Sequence, residues 1–137
     1  LATLPFSSLV IFLRGELAAG KTTFVQFYLS SLGYRGVVKS PTYALVESYQ
    51  INTHYFHHFD LYRVRSPSEL FDMGIEDYFT SDAQVILEWP ERGEGILPLP
   101  DIELYFEKSD CVDNRLLKVV TSSPKAIKLL HGFKLGK

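Results

Sequence analysis

The sequence predicts a single α/β domain of three layers, built on a sheet that mixes parallel and antiparallel strands. Three observations predict it. The apolar run Leu9-Val10-Ile11-Phe12-Leu13 leads into a glycine-rich loop and then an amphipathic stretch, the strand–loop–helix opening of a parallel sheet. Two strand-like runs follow, Tyr43 to Gln50 and His54 to Asp60, joined by a short turn at Ile51-Asn52-Thr53. A hairpin directly after a strand–loop–helix unit brings antiparallel pairing into the sheet. The third observation is bulk: 137 residues, 46% of them apolar, suffice for one core and are too apolar for a disordered chain.

The first helix runs from Thr22 to Leu32, with apolar groups at Phe24, Val25, Phe27, Tyr28, Leu29 and Leu32, and Gly33 stops it. Val37-Val38 reads as a short strand. Ser40-Pro41-Thr42 reads as a loop, because Pro41 biases Ser40 away from helix. Ser66-Pro67-Ser68-Glu69 predicts a helix start: Ser66 caps, Pro67 takes the first helical position and Glu69 closes a capping box. That helix stops near Gly74, and Ile75 to Phe79 gives a further helical turn. Ala83 to Glu88 is an apolar strand ending in an acid, and Trp89 to Pro100 a loop rich in glycine and proline. Ile102, Leu104 and Phe106 alternate, as do Leu117, Val119 and Thr121, predicting two more antiparallel strands joined near Asp113-Asn114. Pro124 to Leu130 is a last short helix. There are no internal repeats, low-complexity tracts or linkers.

Composition narrows the function classes. A net charge of −2 leaves no global basic footprint for nucleic acid, so any RNA must be met through a local patch or a partner. Cys111 is the only cysteine, which excludes an intrachain disulfide and suits a reducing compartment, the cytoplasm. No apolar run approaches the roughly 18–20 residues that span a bilayer. The chain begins at Leu1 rather than Met, and the first strand starts almost at once, so the natural N-terminus is expected to lie upstream.

The glycine-rich loop is Gly15-Glu16-Leu17-Ala18-Ala19-Gly20-Lys21-Thr22, the G-x-x-x-x-G-K-[ST] pattern of a phosphate-binding P-loop in its proper strand-to-helix setting. Gly15 and Gly20 allow close backbone approach, Lys21 supplies a cation for the β- and γ-phosphates, and the Thr22 hydroxyl suits Mg²⁺. The helix N-terminus adds partial positive charge. The metal also needs a carboxylate at a strand end. Glu88 and Asp60 both qualify; Glu88 is favoured for the metal or its water shell, and Asp60 for orienting that shell or an attacking water. Thr42, in the proline-containing loop, is a candidate switch residue near the γ-phosphate. Trp89 follows Glu88 directly and is either core packing or a nucleotide-sensitive position. His57 and His58 occupy adjacent strand positions, face opposite ways and suit no shared metal; they read as satisfied polar strand residues. Arg63 and Arg65 could meet phosphate or a partner's acids, and Arg65 reads better as part of a solvated loop.

With these residues in hand, the chain resembles the TsaE family, small bacterial P-loop ATPases of tRNA threonylcarbamoyladenosine biosynthesis. The shared segments are Arg14 to Thr23, Val38-Lys39-Ser40-Pro41-Thr42-Tyr43, His58-Phe59-Asp60-Leu61-Tyr62-Arg63, Met73-Gly74-Ile75 with Asp77-Tyr78, and Leu87-Glu88-Trp89-Pro90, in the family's order. The resemblance implies a cytoplasmic, Mg²⁺-dependent ATPase of low turnover that works with TsaD-like and TsaB-like proteins and meets ANN-decoding tRNA only through that complex, with no membrane or DNA role. It implies nucleotide binding by Gly15, Glu16, Leu17, Ala18, Ala19, Gly20, Lys21, Thr22, Thr23 and Trp89. Thr22 and Glu88 would hold Mg²⁺, and Glu88, Asp60 and Thr42 would serve catalysis. Two departures stand out. The family usually has Gly where this chain has Ala18; if that position needs φ > 0, alanine costs on the order of 1 kcal/mol. Relatives also carry a helix before the first strand that touches the base. Two other functions share the P-loop: a small-molecule kinase, although Gly93 to Pro100 lacks the arginine cluster of a kinase lid, and a non-hydrolysing module that assembles a complex by nucleotide binding alone.

Overall fold

A computed structural model describes residues 7–16, 20–108 and 115–133. In chain order these form β1 (Leu9–Arg14), α1 (Lys21–Ser31), β2 (Val46–Ile51), β3 (His54–Asp60), α2 (Pro67–Asp72), β4 (Ala83–Glu88), β5 (Ile102–Lys108), β6 (Arg115–Thr121) and α3 (Pro124–Phe133), with 3-10 turns at Ile75–Tyr78 and Pro90–Gly93. The strands make one sheet in the order β2-β3-β4-β1-β5-β6. The four inner strands run parallel, while β2 and β6 pair antiparallel at the two edges. The mixed α/β fold is thus the one the sequence predicts.

Strand alternation sorts the side chains into two layers. Leu9, Ile11 and Leu13 of β1 and Ile86 of β4 face Val25 and Leu29 of α1 and Ala126 of α3. Phe12, Val85, Leu87 and Phe59 face the other way, against Leu70 of α2 and Ile75. Leu13, Phe59, Ile86 and Leu87 are wholly inaccessible, and each contributes roughly 1.5–3 kcal/mol of burial. Register then fixes what lies at the carboxyl ends of the parallel strands. Leu13 pairs with Glu88, and Asp60 pairs with Glu88 across β3–β4. Both acids face α1, the side to which the P-loop delivers its helix.

Three local readings differ from the structure. Val37-Val38 is not a strand: the Lys39 N–H donates to the Tyr49 hydroxyl at 3.0 Å and the Val38 carbonyl accepts from the Gln26 amide at 3.5 Å, so side chains serve this backbone instead of a neighbouring strand. The strand expected from Tyr43 begins only at Val46, because the Leu45 N–H closes a turn onto the Pro41 carbonyl at 2.8 Å and Leu45 takes a left-handed φ of 74°. The capping box at Ser66 does not close. Ser66 makes no side-chain cap; its hydroxyl lies 2.9 Å from that of Ser68, and the Glu69 carboxylate accepts instead from the Arg65 N–H at 3.2 Å. The loop near Asp113-Asn114 lies outside the described residues, as does Cys111.

Candidate functional site

The carboxyl ends of β1, β3 and β4 and the N-terminus of α1 converge on one point. Gly15 has φ 145° and Gly20 has φ 98°, backbone conformations that a side chain would strain. Gly20 is the N-cap of α1; no side chain caps the helix and its first turn holds no acid, so its leading N–H groups are left for an anion. Leu17, Ala18 and Ala19 lie outside the described residues, and with them the expectation attached to Ala18. Glu16 and Thr23 are exposed, on the solvent side of the loop and of the first helical turn.

Lys21 is the first residue of α1 and is 4% exposed. Its ammonium donates to the Gly15 carbonyl at 2.8 Å, lies 4.0 Å from Glu88 Oε1, and sits 4.4 Å from the centre of the Trp89 ring. Burial pulls the lysine below its ordinary pKa, and the nearby carboxylates of Glu88, Asp60 and Glu91 only partly restore it. A cation held in this way is short of compensating charge. The Thr22 hydroxyl donates to Glu88 Oε2 at 3.4 Å, a long contact that a stronger partner could replace. The two residues expected to hold a metal are therefore adjacent in space, 66 positions apart in sequence.

Asp60 stands beside Glu88 on the next strand and is 7% exposed. Its two oxygens are already engaged: Oδ1 accepts from the Tyr62 N–H at 3.1 Å, and Oδ2 accepts from the Thr42 hydroxyl at 3.3 Å. The Asp60 N–H in turn donates to the Leu45 carbonyl at 3.0 Å, which ties the Pro41–Leu45 turn to the end of β3. The loop carrying Thr42 is thereby brought to the site. Trp89 adopts a left-handed φ of 58°, a strain of roughly 1–2 kcal/mol for a non-glycine residue, and aims its half-buried ring under Lys21 and against Tyr62, 5.1 Å between centres. Its buried Nε1 finds no hydrogen-bond partner among the described residues.

One residue of the cluster is not among the site residues expected from the sequence. His58 is 1% exposed, and its Nε2 lies 2.6 Å from Glu88 Oε2. It is only half satisfied, contrary to the reading of both histidines as satisfied strand residues: Nε2 meets the candidate metal ligand, while the buried Nδ1 has no hydrogen-bond partner among the described residues. The signal was strand parity: His58 is two positions before Asp60 and so shares its face. His57 faces the opposite layer, where it packs edge-on against Tyr78 at 4.8 Å and burial lowers its pKa. Arg63 stacks over exposed Tyr43, 4.6 Å from the ring centre, and Arg65 is exposed. Among the described residues no group of three or more His, Cys, Asp or Glu side chains could hold a metal alone. The donors present, one hydroxyl and one carboxylate, suit Mg²⁺, whose shell is commonly completed by phosphate oxygens and water. No helix among the described residues is long and apolar enough to cross a membrane.

Comparison with known proteins bears on the family and the fold. The family model described as "Threonylcarbamoyl adenosine biosynthesis protein TsaE" matches residues 1–117. A protein of Haemophilus influenzae named "tRNA threonylcarbamoyladenosine biosynthesis protein TsaE" is 45% identical over 120 residues, covering 88% of this chain and 76% of its own. A protein of the same name from Bacillus subtilis is 32% identical over 100 residues, 73% of this chain and 62% of that one. The crystal structure of Bacillus subtilis YdiB superposes with a TM-score of 0.77 at 23% identity over 96% of this chain and 80% of that one, a likeness of fold.

Proposed function

The chain belongs to the TsaE family, and from that premise we propose that it binds ATP with Mg²⁺ and hydrolyses it slowly, as an accessory protein in threonylcarbamoyladenosine modification of ANN-decoding tRNAs. The observation that carries this reading is the meeting of the Thr22 hydroxyl with the Glu88 carboxylate at the uncapped start of α1, beside the buried Lys21 cation. Phosphate oxygens would take the place of the Gly15 carbonyl on Lys21, and the free N–H groups of the first helical turn would face them. Bound Mg²⁺ supplies charge neutralisation across the β- and γ-phosphates. Thr22 and Glu88 would hold it. With Oδ1 and Oδ2 of Asp60 both occupied, Asp60 is assigned to holding the Thr42 loop against the site, and Glu88 to the metal shell. Trp89 would line the nucleotide through its contact with Lys21.

The partners in this reading are TsaD-like and TsaB-like proteins, with tRNA met through them and the cytoplasm as the setting. An arginine supplied by a partner can raise phosphoryl-transfer rates by roughly 10³–10⁵, so low turnover alone and faster turnover in the complex is the expected behaviour. The test is phosphate release from Mg-ATP by the chain alone and with a TsaB–TsaD-like pair and substrate tRNA. Hydrolysis stimulated by the pair, together with ATP-dependent tRNA modification, is expected. Modification that proceeds normally with Glu88→Ala would point to an assembly module without hydrolysis. Transfer of the γ-phosphate to a metabolite would point to a kinase. Hydrolysis and modification both indifferent to the other components would overturn the proposal.

A further inference from the structure

We propose that His58 is a positioning residue that sets the metal-binding geometry of Glu88; this rests on the Mg-nucleotide reading above. A metal ligand must be an ionised carboxylate, which only accepts hydrogen bonds; in that role Glu88 Oε2 takes the hydrogen bond from the His58 Nε2–H 2.6 Å away. The imidazole is packed on the α1 side of β3, directly across from Ile86 and two pairs before Asp60–Glu88, and is 1% exposed. Its reach to Glu88 is diagonal across the two strands. Its other nitrogen, Nδ1, is buried and has no hydrogen-bond partner among the described residues, so nothing else seen there sets the ring's polar contacts. The bond to Glu88 is therefore the one described polar function of a histidine placed where an apolar side chain would cost less to bury.

The consequence falls on the two oxygens of Glu88. Oε2 is held by His58 at 2.6 Å and touched by Thr22 at 3.4 Å, while among the described residues Oε1 has only the Lys21 ammonium at 4.0 Å. With His58 in place, the Thr22 hydroxyl can leave Oε2 for a metal without releasing the carboxylate, and Oε1 stays on the side of the Lys21 ammonium. Outer hydrogen bonds of this kind typically account for about 10- to 100-fold in metal affinity.

The test is calorimetric binding of ADP to the full chain in EDTA and in a Mg²⁺ titration, for wild type, His58→Leu and His58→Gln. Gln places an amide N–H near the position of Nε2; Leu fills the space without a donor. The expected result is unchanged affinity in EDTA for all three proteins. The Mg²⁺ concentration for half-maximal tightening should rise about 10- to 100-fold in His58→Leu and return most of the way in His58→Gln. Should His58→Leu fail to fold, His58→Asn takes its place, since the shorter amide cannot reach Oε2. An unchanged Mg²⁺ requirement in the folded donorless variant overturns the proposal. So does an equal loss of affinity with and without metal that Gln does not repair, the mark of a packing role. A wild-type chain indifferent to Mg²⁺ overturns the nucleotide reading itself and this inference with it, whereas a responsive wild type with an unresponsive variant series removes only His58.

Discussion

Gln84 and Glu88 lie on the same strand, on the same face and four residues apart, and are 5% and 4% exposed. They are equally buried polar groups with opposite surroundings. Gln84 is fully matched: its Oε1 accepts from the Tyr28 hydroxyl at 2.5 Å and its Nε2 donates to the Ser7 carbonyl at 2.9 Å. The bond joins α1 to the sheet by neutral, short contacts. Glu88 is charged, its best partner is His58, its contact with Thr22 is long, and the nearest cation is 4.0 Å away and already bonded to Gly15. A closed network at one end of the strand holds the fold. An open one at the other end leaves capacity for a ligand.

Changing one side chain at each end should separate these roles. Glu88→Gln keeps the shape and an acceptor for His58 but removes the charge; hydrolysis of Mg-ATP should fall by about 10²-fold or more, while thermal unfolding stays close to wild type. Gln84→Leu leaves the buried Tyr28 hydroxyl without its acceptor and should cost about 1–3 kcal/mol in denaturant unfolding, with nucleotide affinity per folded molecule unchanged. A Glu88→Gln chain that hydrolyses normally, or a Gln84→Leu chain that folds normally but loses nucleotide, would erase the contrast.

The closed end also titrates. Burial raises the Tyr28 phenol from 10.0 to about 12. The folded state then holds its proton more firmly than the unfolded chain does, so the stability is fully present below pH 10 and is lost as pH rises toward 12. The loss is roughly 1 kcal/mol midway through that window. Unfolding measured across it should be flatter in Tyr28→Phe than in wild type; identical slopes would assign the alkaline loss to other groups. The smallest effect is expected at Thr42→Ala, which removes the 3.3 Å bond to Asp60 and should slow hydrolysis about 2- to 10-fold with little change in affinity. A matching loss in nucleotide affinity would place Thr42 on the ligand instead of on Asp60.

Much of this arrangement was legible in the sequence where a local pattern suffices. The loop from Gly15 to Thr22 announces itself by spacing, and Glu88 and Asp60 are visible as acids closing apolar strands. What joins them is not local. That Asp60 faces Glu88 depends on β3 lying beside β4 in parallel, which no spacing encodes. The Thr42–Asp60 bond depends on the turn at Pro41–Leu45 and the left-handed Leu45, where β propensity suggested continuing strand. Val37-Val38 misled for a related reason: two valines favour a strand, but the side chains of Tyr49 and Gln26 serve their backbone neighbourhood. His58 was within reach through its parity with Asp60. Adjacent strand histidines face opposite ways and cannot chelate one metal, but that same parity leaves His58 alone on the Glu88 side, within reach of a hydrogen bond to it.

The most direct test of the contrast between the two ends of β4 is the change in nucleotide affinity on adding Mg²⁺, measured side by side for wild type, Glu88→Gln and Gln84→Leu. Wild type and Gln84→Leu should tighten alike, while Glu88→Gln should bind as wild type does in EDTA and gain little from the metal. Equal tightening in all three would contradict the assignment of Glu88 to the metal.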